Sequence, residues 1–97
     1  MPNLTYAGYG YTPRGTIVTI LADEDAGLVL GVESARYESD EDGWPCIEWD
    51  AVGALDARYA GKNYPPPRDL VLGELSDDQQ EDYYDELRDV LREVLRD

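Results

Sequence analysis

Apolar and polar positions change period along this chain, and each change marks an element. Residues 16–21 are dominated by β-branched side chains and are apolar on both faces, which predicts a central strand. An acidic turn at 23–27 closes on Gly27, where a tight reversal needs a positive φ. Residues 28–33 return as a second strand, predicted to continue through Tyr37, with Leu28, Leu30 and Val32 on one face. Gly31, in mid-strand, predicts a bulge or sharp bend. A second acidic turn at 39–43 leads to a third strand, 44–50, which aligns Ile47 with Trp49.

Before and after this block the pattern is weaker. Residues 3–11 form a tyrosine- and glycine-rich segment, extended at best, with Tyr9 and Tyr11 on one side and a break at 13–15. Residues 51–60 suit a short helix or an irregular crossover. The prolines at 65–67 exclude both helix and central strand, and they favour a stiff connector. Residues 70–72 suggest a short last strand closed by Gly73.

The period then becomes helical. Tyr83, Tyr84, Leu87, Val90, Leu91, Val94 and Leu95 recur at three- and four-residue steps, predicting an amphipathic helix over 76–96. Ser76 with Gln79 makes a capping box. Asp77, Asp78, Glu81 and Asp82 lie near the start, and Arg88, Arg92 and Arg96 near the end, so both sets of charges oppose the helix dipole. A helix of about twenty residues spans roughly 30 Å. That is long for so small a sheet, and it predicts that part of the stripe, Tyr84 and Leu91 included, meets another chain.

The predicted fold is α+β in one domain: the N-terminal segment 1–15, a small antiparallel curled sheet or SH3-like β-barrel over 16–73, and one amphipathic C-terminal α-helix. The layout resembles the SH3-like barrels, Tudor-type modules among them, in its glycine-led strand answered by a hairpin (15–32) and in the later strand ending Ile47-Glu48-Trp49-Asp50. The acidic aromatic entry motif and paired tryptophans of peptide-binding SH3 domains are missing. The resemblance is therefore architectural and implies no ligand residue.

Charge changes the picture most. Twenty-two Asp and Glu stand against eight Lys and Arg, giving a formal −14 on 97 residues, while 42% of the chain is apolar, an ordinary globular share. Bare nucleic acid and anionic membranes are disfavoured as partners, and basic protein surfaces are favoured. Arginine exceeds lysine seven to one, and eight tyrosines accompany no phenylalanine. This bias resembles that of proteins from salt-adapted or high-GC hosts and their viruses, where acidity solvates every surface. The competing expectation is nucleic-acid mimicry, in which carboxylates reproduce the run of phosphates. One cysteine precludes an intrachain disulfide. Met1-Pro2-Asn3 lacks a signal-peptide start, and no apolar run reaches the length of a membrane span, so a cytoplasmic or particle-borne protein is expected.

Catalytic apparatus is thin. Without histidine, neither the serines nor Cys46 has an imidazole to activate it, and Cys46 is expected to be a buried, inert thiol. Residues 38–43 begin with the rhythm of a calcium-binding EF-hand loop, but Pro45 intrudes and Trp49 replaces the bidentate glutamate, so a solvated turn is the expectation. Zinc lacks ligands, and the glycines follow no phosphate-binding spacing. No cofactor, metal or catalytic residue is assigned.

Binding remains. Candidate partner contacts are Tyr6, Tyr9 and Tyr11, the turn acids Asp23, Glu24, Asp25, Asp40, Glu41 and Asp42, and Tyr84 and Leu91 on the helix. Aromatic faces suit a cation, an arginine or a proline-rich segment. Trp49 and Tyr37 are expected in the core. The sequence thus predicts a non-catalytic interaction module for a protein partner, with a mimicking inhibitor of a nucleic-acid-binding protein as the alternative.

Overall fold

A computed structural model describes residues 3–33, 40–56, 59 and 69–95. Its elements are strands β1 (Thr5–Tyr11), β2 (Ile17–Asp23), β3 (Leu28–Glu33) and β4 (Val52–Leu55), a 3-10 turn (Trp49–Ala51), and helix α1 (Asp77–Leu95). The strands form one antiparallel sheet in the order β1-β2-β3-β4, so the fold is α+β. The sheet is open, and the expected barrel is not closed.

Local chemistry explains each reversal. Thr12 and Thr16 close a three-residue loop: Thr12 N–H donates to the Thr16 carbonyl at 2.9 Å and Gly15 N–H to the Thr12 carbonyl at 2.8 Å. Gly15 supplies the left-handed residue (φ +84) that this hairpin requires. At the next turn the Asp23 carboxylate accepts the Ala26 N–H at 3.2 Å.

Alternation then sorts the sheet's two faces. Leu21, Leu30, Val32 and Val52 look toward α1, where they bury Leu4, Leu75, Tyr83, Leu87 and Leu91. Val18, Ile20, Ala22 and Val29 look the other way, onto Leu70 and Leu72. Removing such side chains from water supplies about 25 cal/mol per Å² of apolar area.

A row across the strands shapes that second face. Gly8, Ile20, Gly31 and Gly53 are register partners in turn. The missing Cβ atoms of Gly31 and Gly53 leave a trough for Leu72. A Cβ on Gly31 would stand 2.6 Å from Leu72 Cδ2, and one on Gly53 2.7 Å from the Gly73 carbonyl oxygen. Gly73 and Ala54 exchange both backbone hydrogen bonds there, at 2.8 and 2.9 Å.

Several expectations are corrected. Gly31 is not a bulge. It pairs without a break in register, and its lack of a side chain serves the close approach of Leu72. The bulge falls between Tyr6 and Gly8, in the segment expected to be extended at best, which is a full edge strand. Residues 44–50 are not a strand. Their apolar side chains, Ile47 and Trp49, lean on the helix-side core instead, and Trp49 opens the 3-10 turn. The ambiguous 51–60 stretch contains β4, and of the expected strand at 70–73 only the Gly73 bridge forms. The predicted continuation to Tyr37, the proline run at 65–67, and Arg96 lie outside the described residues.

Helix α1 follows its prediction. Gln79 N–H donates to Ser76 Oγ at 3.2 Å, and Ser76 N–H to Gln79 Oε1 at 3.0 Å, completing the capping box. Tyr83, Leu87 and Leu91 form the buried stripe, with Val90 packed beside them. Among the described residues no helix is long and apolar enough to cross a membrane.

Candidate functional site

The bulge in β1 gathers the N-terminal tyrosines. Tyr6 pairs with Leu21 and Tyr9 with Thr19, two residues on one face of β2, although Tyr6 and Tyr9 are three apart. One extra residue resets the alternation. Cross-strand partners share a face, so Tyr6, Tyr9 and Tyr11 all lie on the helix side of the sheet. Tyr9 and Tyr11 meet edge to face at 6.1 Å. Tyr6 is 52% exposed and Tyr9 53%, and Ile17, opposite Tyr11, is exposed as well, so an aromatic patch opens to solvent.

The acidic candidates separate. Asp23 is buried, which removes it from any contact surface. Its carboxylate accepts the Tyr83 hydroxyl at 2.7 Å and the Asn3 N–H at 3.4 Å. The Tyr83 hydrogen bond holds the Asp23 pKa below the ordinary aspartate range. Burial, with Asp23 next in effect, pushes the Tyr83 phenol up to about 12. Glu24 and Asp25 are exposed on the turn and share a cleft of about 90 Å³ with Asn3 and Thr5. Asp40, Glu41 and Asp42 are exposed on another turn, where the Asp40 carboxylate accepts the N–H groups of Asp42 and Trp44, each at 2.9 Å. Asp40 is therefore a turn former. Glu24 and Asp25 belong to the turn between β2 and β3, and Asp40, Glu41 and Asp42 to the turn before Trp44.

On the helix, Leu91 is fully buried in the core and is withdrawn from the contact surface. Its place in the stripe suited either role, and only the packing against the sheet decides. Tyr84 is partly exposed, with its ring 6.2 Å from Trp49. Sequence reasoning missed the pairing of Trp44 with α1: the guanidinium of Arg88 lies 4.6 Å from its ring centroid and that of Arg92 3.9 Å. These contacts draw two basic side chains sideways. Asp78, Asp82, Asp85, Asp89 and Glu93, all exposed, continue at three- and four-residue steps along the face opposite the buried stripe. The signal was present in the sequence as a second, polar period, masked by the abundance of acids.

Cys46, expected to be buried, is exposed and free, because residues 44–48 run irregularly over the surface. Among the described residues no group of three or more possible metal ligands gathers. A cleft of about 440 Å³ lies between Trp49, Asp50, Val52, Glu74, Asp77 and Gln80 at the start of α1.

Comparison with known proteins gives a partial likeness. Protein RecA of Pseudomonas putida is 34% identical over 73 residues, which take in 75% of this chain and 21% of that protein. The chain thus spans about a fifth of the length of this curated relative. No family model matches, and no solved structure matches.

Proposed function

We propose that this chain is a non-catalytic, acidic protein–protein interaction module, an adaptor or subunit of a larger assembly that works in the cytoplasm or in a soluble particle. The observation that carries this reading is the tyrosine patch of β1, half exposed and set apart from both core clusters. Tyrosine offers a large, stiff contact area with a polar tip, which is why it is enriched at interfaces. The surrounding charge selects a partner with a basic surface and speeds encounter, while the rings hold the contact. The likeness to RecA covers too little of that protein to bring its activity here.

The carboxylate row of α1 favours a second reading, mimicry of nucleic acid. Its members advance about 4.5–6 Å along the axis at each step, against 3.4 Å of axis per phosphate on one DNA strand. It therefore carries roughly half the charge density of the strand it would imitate.

The test is a pull-down from the source organism at low and at molar salt, with the wild-type chain and a Tyr6→Ser/Tyr9→Ser variant. A partner retained by the wild type in molar salt and lost from the variant is the expected result. A partner that leaves both chains as salt rises supports mimicry instead.

A further inference from the structure

Two strands of the open sheet have an outer edge. That of β4 is covered at Ala54, which bonds Gly73 in both directions. Among the described residues, the edge of β1 is covered only at its end. The Thr12-to-Thr16 bond sets the alternation of the hairpin: Gly10 and Gly8 bond toward β2, and the peptide groups of Tyr9 and Tyr11 point away from the sheet. The Tyr11 carbonyl accepts the Leu70 N–H at 2.6 Å, which verifies that direction. Among the described residues, no backbone partner meets the N–H or carbonyl of Tyr9.

Clefts lie at both ends of this edge, and both hold carboxylates. Glu24 and Asp25 line one of about 90 Å³ beside Thr5, and Asp69 lines one of about 290 Å³ beside Tyr11 and Pro13. Between them stand the rings of Tyr6 and Tyr9. We propose that β1 accepts an extended segment of a partner protein as a fifth strand, about seven residues long, with arginine or lysine side chains near each end. This rests on the interaction-module reading and gives its mode of contact.

The occupant follows from three features. Outward peptide groups are matched by another extended backbone. Carboxylates at the two ends, roughly 20 Å apart for the six steps of a seven-residue strand, are matched by cations. Exposed tyrosine faces attract guanidinium groups, as the Trp44 ring does with Arg88 and Arg92 inside this chain. A second copy of the chain offers an extended edge too, but it brings a further −14 of charge against the same acids.

The experiment is a titration of the isotopically labelled full chain, followed by amide NMR. The probe is a capped peptide alternating arginine and valine over seven residues. A fully N-methylated version, which keeps every charge and loses every backbone donor, is the control. The expected result is saturable binding with shifts centred on Tyr9 and Tyr11, slowed exchange of the Tyr9 amide, and at least tenfold weaker binding of the N-methylated peptide. Tyr9→Pro, which removes the outward donor, should weaken the first peptide at least tenfold. If that variant unfolds by circular dichroism, the two peptides on the unaltered chain decide. Equal binding of both peptides with shifts along α1 overturns strand addition and leaves the interaction-module reading standing. A Tyr9 amide protected in a dimer without peptide makes a second copy the occupant and overturns the basic partner segment. Failure of every basic peptide overturns strand addition even where the salt-resistant pull-down succeeds.

Discussion

Tyr83 and Asp23 show what a single buried pair does in so acidic a chain. The Asp23 carboxylate is stabilised in its charged form, so its folded pKa lies below the unfolded value near 3.8. Its contribution to stability is present above that value and fades as pH falls through the folded pKa. Tyr83 behaves oppositely: its folded pKa is raised from 10.0 to about 12, so its contribution is complete below pH 10 and fades as pH rises toward 12. Tyr83→Phe should lower stability by about 1.5–3 kcal/mol at neutral pH, the worth of a hydrogen bond to a charged group. It should also flatten the loss of stability on both the acid and the alkaline side, read from urea melts across pH. Unchanged pH limits would show that the pair does not set them. A glycine gives a second check. Gly53→Ala should cost about 1–3 kcal/mol, since a Cβ there meets the Leu72 and Gly73 backbone. An unchanged urea midpoint would mean that the 70–73 segment does not seat on β4. Neither role was legible in the sequence. Asp23 sits in a run of acids that reads as a solvated turn, and its partner lies sixty residues away. The Gly53 environment is made by a segment with no strand of its own.

At the scale of elements, legibility followed the strength of local signals. Helix α1 was readable because capping chemistry and a 3.6-residue period agree over nineteen residues. Strands β2 and β3 were readable from their β-branched and apolar runs. Strand β4 was not, because Val52-Gly53-Ala54-Leu55 is short and half small residues, and pairing with β3 rather than propensity makes it a strand. The 44–50 stretch failed for the converse reason: its alternation is spent against the helix, with Trp44 beneath Arg88 and Arg92 and Trp49 beside Tyr84. The candidate site was half legible. The tyrosines were visible, but the bulge that sets Tyr6 beside Tyr9 was not. Ser76→Ala should destabilise the chain by about 0.5–2 kcal/mol through loss of the cap, with the helix signal melting earlier. Leu91→Ala should cost about 2–5 kcal/mol in thermal or urea unfolding. A Leu91→Ala chain of full stability and reduced partner binding would return that residue to the surface.

For the whole molecule, net charge is a condition that the fold and its contacts must satisfy. Added salt shortens the Debye length from about 10 Å at 0.1 M to about 3 Å at 1 M, so self-repulsion weakens and the thermal midpoint should rise over that range. A midpoint that falls would show attractive pairs outweighing repulsion. The same screening separates the two modes of binding. The most direct measurement is the affinity for the captured partner from about 0.1 M to about 1 M salt, with the wild-type chain and an Asp82→Asn/Asp85→Asn/Asp89→Asn variant of the α1 row. A contact held by the tyrosine edge predicts that affinity falls by less than about tenfold across the range and that the helix variant matches the wild type. A fall of about a thousandfold or more, abolished by the three amides, would contradict it and make the carboxylate row the binding surface.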